Sequence, residues 1–175
     1  MKNMSKLIYL LLVFGLMTVV VVRAADEAGV DVKVTVQNFQ VSVLDGNVTY
    51  GNLAVNTSRS TIVGEENEMQ TATNDGTLAK ISIKGSVSSP AGWTMHLTTP
   101  NTNVYVHKFC NDTELDCTTP PTNYTGMTST GYTTLDTSVA NAGTVDFQLQ
   151  ITTPTSVSDY TEQDVDVTVQ AALPD

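Results

Sequence analysis

Apolar and polar residues alternate along most of the chain beyond residue 29, and this period of two is typical of β-strands that bury one face. Each run of this kind predicts one strand whose apolar side chains point towards a core. The clear runs are Val30/Val32/Val34/Val36, Phe39/Val41/Val43, Ala79/Ile81/Ile83, Trp93/Met95/Leu97, Val145/Phe147/Leu149/Ile151 and Val165/Val167/Val169.

Weaker strands are predicted at residues 48–55, 69–73, 104–109 and 132–135, with Gly, Asn, Asp and Pro in the gaps between them. Helical spacing is nearly absent, so no segment can serve as the crossover helix that a parallel α/β sheet needs. We therefore predict an all-β fold over residues 38–175, a two-sheet β-sandwich of the jelly-roll or immunoglobulin-like type.

The apolar positions change parity near residue 37, because they are even-numbered over 30–36 and odd-numbered over 39–43. One regular strand cannot bury both sets on one face. One interpretation is a β-bulge, or a strand that passes from one sheet to the other. The other is a separate arm over residues 25–37 that completes the sheet of a neighbouring molecule. The donor strand of that arm would consist of Val30, Val32, Val34 and Val36.

Residues 1–24 have the layout of a secretory signal peptide. Lys2 and Lys6 form the charged start, an apolar run covers residues 7–22, and we predict cleavage after Ala24. The alternative is an uncleaved anchor, although a membrane-spanning helix needs about 20 apolar residues. We expect a secreted protein, extracellular or on the cell surface, that has no membrane attachment after cleavage.

The chain that remains after cleavage is strongly acidic. Cleavage removes three of the 8 basic residues and none of the 18 acidic ones, which leaves a formal charge of −13. Nucleic-acid binding relies on Lys and Arg side chains that neutralise phosphates, so this class of partner is excluded.

The sequence contains two cysteines, Cys110 and Cys117, and both follow the predicted signal peptide. In a chain bound for an oxidising compartment, two cysteines at this spacing predict a disulfide. This disulfide would close a short loop and act as a local constraint.

No constellation typical of a catalytic site is present, and we predict that the protein is not an enzyme. The Gly-x-Ser-x-Gly motif that presents a nucleophilic serine is absent, and the candidate bases are His96 and His107. His96 should point outwards as a solvated residue, whereas His107 shares a strand face with Tyr105 and Phe109. Two isolated histidines and two paired cysteines also give no zinc site.

Calcium is the most credible inorganic partner, since it takes carboxylate and carbonyl oxygens in flexible loops. The candidate ligands are Asp112, Glu114 and Asp116, which alternate inside the loop between the cysteines. A second acidic turn covers residues 65–68. Neither segment matches an EF-hand loop, and the alternative is that both are solvated acidic turns. No other cofactor is predicted.

Two features of the sequence relate to carbohydrate. Four Asn-x-Ser/Thr sequons make Asn47, Asn56, Asn111 and Asn123 candidate glycan acceptors in a secreted chain. A sugar-binding surface would instead use exposed aromatic side chains. The candidates are Trp93, Tyr105, Tyr124, Tyr132 and Tyr160, of which Trp93 is expected in the core and Tyr124 and Tyr160 in loops.

Residues 71–83 read as strand, Asn74-Asp75-Gly76 turn and strand, and they resemble this motif in the secreted camelysin and TasA-like fibre proteins of prokaryotes. WxL-type surface domains are similar in this respect, although Trp93-Thr94-Met95 stands where their Trp-x-Leu pair is sought. Residues 154–169 resemble the final strand of bacterial immunoglobulin-like modules. The resemblance to TasA-like proteins implies polymerisation through an N-terminal donor strand.

Two functions fit these observations. The first is a non-enzymatic structural protein of the cell surface or extracellular matrix, which self-associates into filaments by donor-strand complementation through Val30 to Val36. The alternative is a monomeric adhesin or carbohydrate-binding module that recognises glycan through its loops.

Overall fold

The computed structural model describes residues 31–90, 92–118 and 123–175, and this part of the chain forms strands and loops without a helix. The chain divides into two compact units, Met1–Thr35 and Val36–Asp175. The second unit folds into two β-sheets, which confirms the predicted all-β, two-sheet fold class. The predicted signal peptide at residues 1–24 lies outside the described residues.

Ten strands follow one another in the second unit. They are β1 (Val41–Leu44), β2 (Ser58–Ser60), β3 (Gln70–Asn74), β4 (Ala79–Gly85), β5 (Thr94–Met95), β6 (Val104–Asn111), β7 (Thr125–Gly126), β8 (Thr133–Val139), β9 (Thr144–Thr152) and β10 (Val167–Ala172).

The larger sheet has the order β1-β3-β9-β6-β5, with β2 paired to β9 and β7 paired to β6. Its pairs are antiparallel apart from the short parallel pair of β5 with β6. The smaller sheet has the order β10-β4-β8 and is antiparallel throughout. Among the residues that the structure describes, strand β8 pairs with β4 on one side and with no strand on the other.

The hydrophobic core lies between the two sheets and is built by the alternation that predicted the strands. Ile81 and Ile83 of β4 are fully buried, and Val145, Phe147 and Leu149 of β9 are at most 4% exposed. The same core contains Ala72, Ala79, Phe109, Met127, Leu135 and Val139. Successive residues of a strand point to opposite faces, so Cys110 lies on the outer side of the larger sheet.

Several predicted strands differ from the observed ones. Residues 48–55 form no strand, and the run that starts at Trp93 is reduced to the two residues of β5. Within that run, Leu97 was expected to point inwards but is 45% exposed, and Trp93 is half-buried instead of belonging to the core. β5 lies at the end of the sheet order and pairs only with β6 among the described strands. Its side chains are therefore less buried than those of a central strand.

Candidate functional site

The N-terminal arm, defined here as residues 30–36, exposes its alternating valines. Val32, Val34 and Val36 are 80%, 85% and 83% exposed, while Val30 lies outside the described residues. Residues 31–40 form no strand within the single chain. The residues at the parity change are not part of a strand in the single chain, and the separate arm stays a prediction.

Directly after the arm, hydrogen bonds hold the chain against the turn at residues 75–77. The carbonyl oxygen of Asn38 accepts hydrogen bonds from the Thr77 amide at 2.7 Å and from the Thr77 hydroxyl at 3.0 Å. The carbonyl of Gln40 accepts a bond from the Asp75 amide at 2.9 Å. A Cβ atom on Gly76 would collide with the Asn38 carbonyl, so the turn requires glycine at its closest approach. Residues 38–40 of the second unit are therefore held against the turn before β4.

Asn74 organises this turn from inside the protein. Its side chain is fully buried and donates hydrogen bonds to the carbonyls of Thr77 at 2.7 Å, Val139 at 2.8 Å and Ala140 at 3.2 Å. Its carbonyl oxygen accepts a bond from the Gly76 amide at 3.0 Å. One side chain thus ties the turn before β4 to the end of β8.

A cavity of about 440 Å³ lies between the β8 edge and the neighbouring end of β6. The β8 edge means the side of Thr133–Val139 that does not pair with β4. Leu135 and Phe109 give the cavity an apolar wall that continues into the core, and Leu115, at 48% exposure, borders it from the loop. Glu114 and Asp136 line it as well.

Two side chains already bond to the backbone of β8. Asn111 of β6 donates a hydrogen bond of 2.9 Å to the Leu135 carbonyl, which links the two sheets across the cavity. The Asp136 carboxylate accepts a bond of 2.9 Å from the Ser138 amide two residues further along. Such bonds protect an edge strand from non-specific pairing by satisfying part of its backbone.

The predicted disulfide between Cys110 and Cys117 is present, with Cα atoms 5.8 Å apart. Both cysteines are buried, and they pack with Tyr124 in a small cluster outside the main core. The loop between them is ordered by the Asn111 side-chain oxygen, which accepts bonds from the Thr113 and Glu114 amides at 3.0 and 3.2 Å. A disulfide is compatible with an extracellular protein.

The structure does not bring the three predicted calcium ligands together. Asp112 accepts a bond of 2.9 Å from the Gln148 side chain, and Asp116 accepts bonds from the Thr118 amide and hydroxyl. Within residues 31–90, 92–118 and 123–175, no three His, Cys, Asp or Glu side chains are grouped so as to hold a metal ion.

The acidic turn at residues 65–68 is held by internal bonds and is not simply solvated. The Glu65 carboxylate accepts bonds from the Ser60 amide and hydroxyl, and Glu66 forms an ion pair of 3.1 Å with Arg59. The Glu68 carboxylate accepts a bond of 2.8 Å from the Thr49 amide. These bonds give the turn a structural role.

The four sequons occupy different environments. Asn47 and Asn56 are exposed, so a glycan on either would extend into solvent. Asn111 is 8% exposed and uses its side-chain nitrogen to bind the Leu135 carbonyl. A glycan on that nitrogen would disrupt this contact. Asn123 is partly buried, and its side-chain nitrogen donates to the Asp116 carbonyl.

His107 is buried between aromatic side chains. It is 1% exposed, its Nε2 atom lies 3.2 Å from the Tyr50 hydroxyl, and its ring centre is 6.4 Å from that of Tyr105. Its Nδ1 atom has no hydrogen-bond partner among the described residues. Burial lowers the pKa of His107 to about 4. Burial likewise raises the pKa values of Tyr50 and Tyr105.

His107 therefore stays neutral at physiological pH, and the tyrosines that surround it stay protonated. Over the described part of the chain, the hydrogen bond to its ring comes from the Tyr50 hydroxyl and not from a Ser or Cys side chain, as a Ser-His or Cys-His pair would require. His96, by contrast, is exposed as predicted, and its Nδ1 atom accepts bonds from the Thr98 and Thr99 amides at 3.3 and 3.1 Å. Sequence reasoning missed the burial of His107, whose partner Tyr50 lies 57 residues away in the chain.

The aromatic candidates for sugar binding do not form one surface. Tyr105 is fully buried and Tyr124 is 7% exposed, so the expectation that Tyr124 is an accessible loop residue is wrong. Tyr132 is 40% exposed and carries the Lys84 ammonium 4.8 Å above its ring. Tyr160 is 85% exposed.

No family model, no curated protein and no solved structure matches this chain. In the part of the chain that the structure describes, no helix has the length and apolar character needed to cross a membrane. The resemblance to camelysin, TasA-like and WxL-type proteins therefore stays a prediction.

Proposed function

We propose that this protein is a secreted, non-enzymatic structural subunit that assembles outside the cell into filaments through its N-terminal arm. The observation that carries this proposal is the exposure of Val32, Val34 and Val36, all 80% or more, at alternate positions of one short segment. This is the spacing of side chains on one face of a strand. A strand that pairs with a neighbouring subunit would bury all of them together.

The free energy gained by burying these valines is comparable with the cost of associating two subunits. Fully burying a valine stabilises by about 1.5–3 kcal/mol, so the four valines of the arm would contribute about 6–12 kcal/mol. Association of two proteins costs about 4–15 kcal/mol in lost freedom of motion. Valine burial is therefore of the right size to drive docking, and main-chain hydrogen bonds to a sheet edge would add to it.

The geometry of the chain favours an open assembly. The arm and the unit that would receive it are different surfaces of the same molecule, so each subunit both donates and accepts. A contact of this head-to-tail kind continues from subunit to subunit unless the rotation closes a ring. The disulfide supports an extracellular location, where such filaments form.

The test is to replace two valines of the arm with charged residues. We expect the exported protein to form oligomers or filaments, seen by size-exclusion chromatography and negative-stain electron microscopy. The double variant Val32→Glu/Val34→Glu should remain monomeric, because a buried charge in the docked arm would be unpaired. These side chains are exposed in the single chain, so the variant should keep the fold and unfolding midpoint of the parent.

Val63→Glu is the matched control, since Val63 is also 80% exposed but lies outside the arm. It should assemble like the parent. Two results would contradict the proposal: a parent that stays monomeric at high concentration, or an arm variant that still forms filaments. A monomeric parent would favour the alternative function, an adhesin or carbohydrate-binding module.

A further inference from the structure

We infer that Asn47 and Asn56 carry N-linked oligosaccharides, and that the sequons at Asn111 and Asn123 stay unmodified in the folded chain. The first two asparagines share the loop between β1 and β2, called here the sequon loop (residues 45–57). The inference rests on the export of the chain in the proposed function and not on its assembly. Its support is the presentation of two sequons, the engagement of the other two, and the place of the loop in the fold.

The sequon at Asn47 is held by its middle residue. Asn47 and Thr49 are exposed, whereas Val48 between them is partly buried against the main core. The next residue, Tyr50, packs against the same core, with its hydroxyl 3.2 Å from Nε2 of His107. The acceptor amide and the hydroxyl of this sequon therefore both face solvent, on a segment that the core fixes in place.

The sequon at Asn56 has the same arrangement. Asn56 and Ser58 are exposed, and Thr57 between them is half-buried. The Thr57 amide donates a hydrogen bond of 2.9 Å to the Thr153 hydroxyl, and the Asn56 amide donates one of 2.8 Å to the Pro154 carbonyl. The backbone of this sequon is thus fixed while its acceptor side chain is open to solvent.

The side-chain nitrogens divide the four sequons into two pairs. Those of Asn47 and Asn56 make no hydrogen bond to another residue in the described part of the chain. Asn111 is 8% exposed, and its nitrogen donates a bond of 2.9 Å to a backbone carbonyl of β8. The nitrogen of Asn123 donates to a backbone carbonyl as well. A glycan needs room for a sugar ring on this nitrogen, so the open pair are the acceptors.

The modification takes its sugar from a lipid-linked oligosaccharide, through a transferase of the exporting cell. The asparagine nitrogen forms a bond to C1 of the first sugar, the bond between C1 and the lipid phosphate oxygen breaks, and the amide proton leaves to a base of the transferase. The open amides at residues 47 and 56 fit this transfer before or after folding. A glycan attached to Asn111 before folding would instead oppose its burial and its bond to β8.

The sequon loop and residues 38–40 lie at opposite ends of β1. Residues 38–40 bond to the turn that follows β3, whereas Gly46 of the loop donates a bond of 3.1 Å to Gln70 at the start of β3. Asn56 bonds to Pro154, just beyond the end of β9, and the start of β9 pairs with the end of β3. Glycans on the loop would therefore leave residues 38–40 clear, and they are compatible with assembly through the preceding arm.

The test is mass spectrometry of the protein isolated from the cells that export it, first intact and then as proteolytic peptides. We expect the mature chain to carry two glycan masses, on the peptides that contain Asn47 and Asn56, and the peptides of Asn111 and Asn123 to be bare. Asn47→Gln and Asn56→Gln should each remove one glycan mass. The double variant should have the mass of the unmodified mature chain.

Matched variants change the hydroxyl of a sequon and keep its asparagine. Thr49→Val and Ser58→Ala should each abolish the glycan on the asparagine two residues before, because the sequon requires this hydroxyl. Thr125→Val removes the sequon at Asn123 and should leave both glycans in place. An exported chain with bare Asn47 and Asn56, or with a glycan on Asn111, would overturn the inference and leave the proposed function intact. A chain retained inside the cell with residues 1–24 attached would contradict both.

Discussion

Acidification should destabilise the folded unit through His107, because this histidine is buried in a neutral form. Its pKa is lowered to about 4 from the ordinary value of 6.5, and the cause is desolvation by burial. Protonation would place a charge in the interior and add a proton to Nδ1, which faces no partner among the described residues. Tyr50 and Tyr105 stay neutral, and the acidic side chains that act on them are those of the turn at residues 65–68 for Tyr50 and Asp166 for Tyr105.

The sign of the effect follows from proton uptake. Below about pH 6.5 the unfolded chain binds a proton at this histidine that the folded chain does not bind, so unfolding becomes easier as the pH falls. This loss of folding stability is complete below about pH 4, where the histidine is protonated in both states. A difference of 2.5 pKa values corresponds to about 3.4 kcal/mol in total, of which about 2 kcal/mol is already lost at pH 5.

The assay is urea unfolding of the parent and of His107→Gln at pH 7.5 and pH 5. Gln keeps a hydrogen-bonding group near Tyr50 but does not titrate in this range. The parent should lose about 2 kcal/mol more than the variant between the two pH values. His96→Gln, at an exposed position, should behave like the parent. If His107→Gln keeps the full pH dependence of the parent, the buried neutral histidine is not its cause and the reasoning is refuted.

Two further predictions concern the local constraints of the fold. Replacing both Cys110 and Cys117 with Ser should lower the free energy of unfolding by about 2.5 kcal/mol, from the entropy of the short loop, and reduction of the parent should reproduce this change in urea titrations. A variant as stable as the parent would show that the loop is held by its hydrogen bonds alone. Asn74→Ala should lower stability by about 3 kcal/mol, because it removes three hydrogen bonds to the carbonyls of Thr77, Val139 and Ala140 and the acceptor of the Gly76 amide, whereas the exposed Asn141→Ala should lose about 1 kcal/mol. Equal losses for the two variants in thermal or urea unfolding would contradict the role given to Asn74.

The fold class could be predicted because alternation is a local signal. β4 and β9 carry uninterrupted alternating runs, and both lie in the middle of a sheet with the core beneath them. The strand predicted at residues 48–55 does not form. Gly51 adopts a φ of 62° there, a conformation that a regular strand does not contain. Alternation thus predicts strands where turn residues do not interrupt it.

The functional surfaces could be predicted only in part, because they depend on distant contacts. The parity change near residue 37 left two interpretations open, a bulge or a separate arm, and alternation does not show which sheet the valines cover. The cavity beside β8 forms where β6 and β8, from different sheets, approach each other, and no local pattern encodes that distance. His107 follows the same alternation as Phe109, but its neutral state depends on the fold around it.

Hydrogen–deuterium exchange on the assembled protein tests the central claim most directly. Amides of the arm should exchange rapidly in the dilute monomer and become protected on assembly, since strand pairing with a neighbouring subunit would give them hydrogen-bond partners. The valine-to-glutamate arm variant should show no such protection at the same concentration. Assembly with the arm amides still unprotected would contradict donor-strand docking.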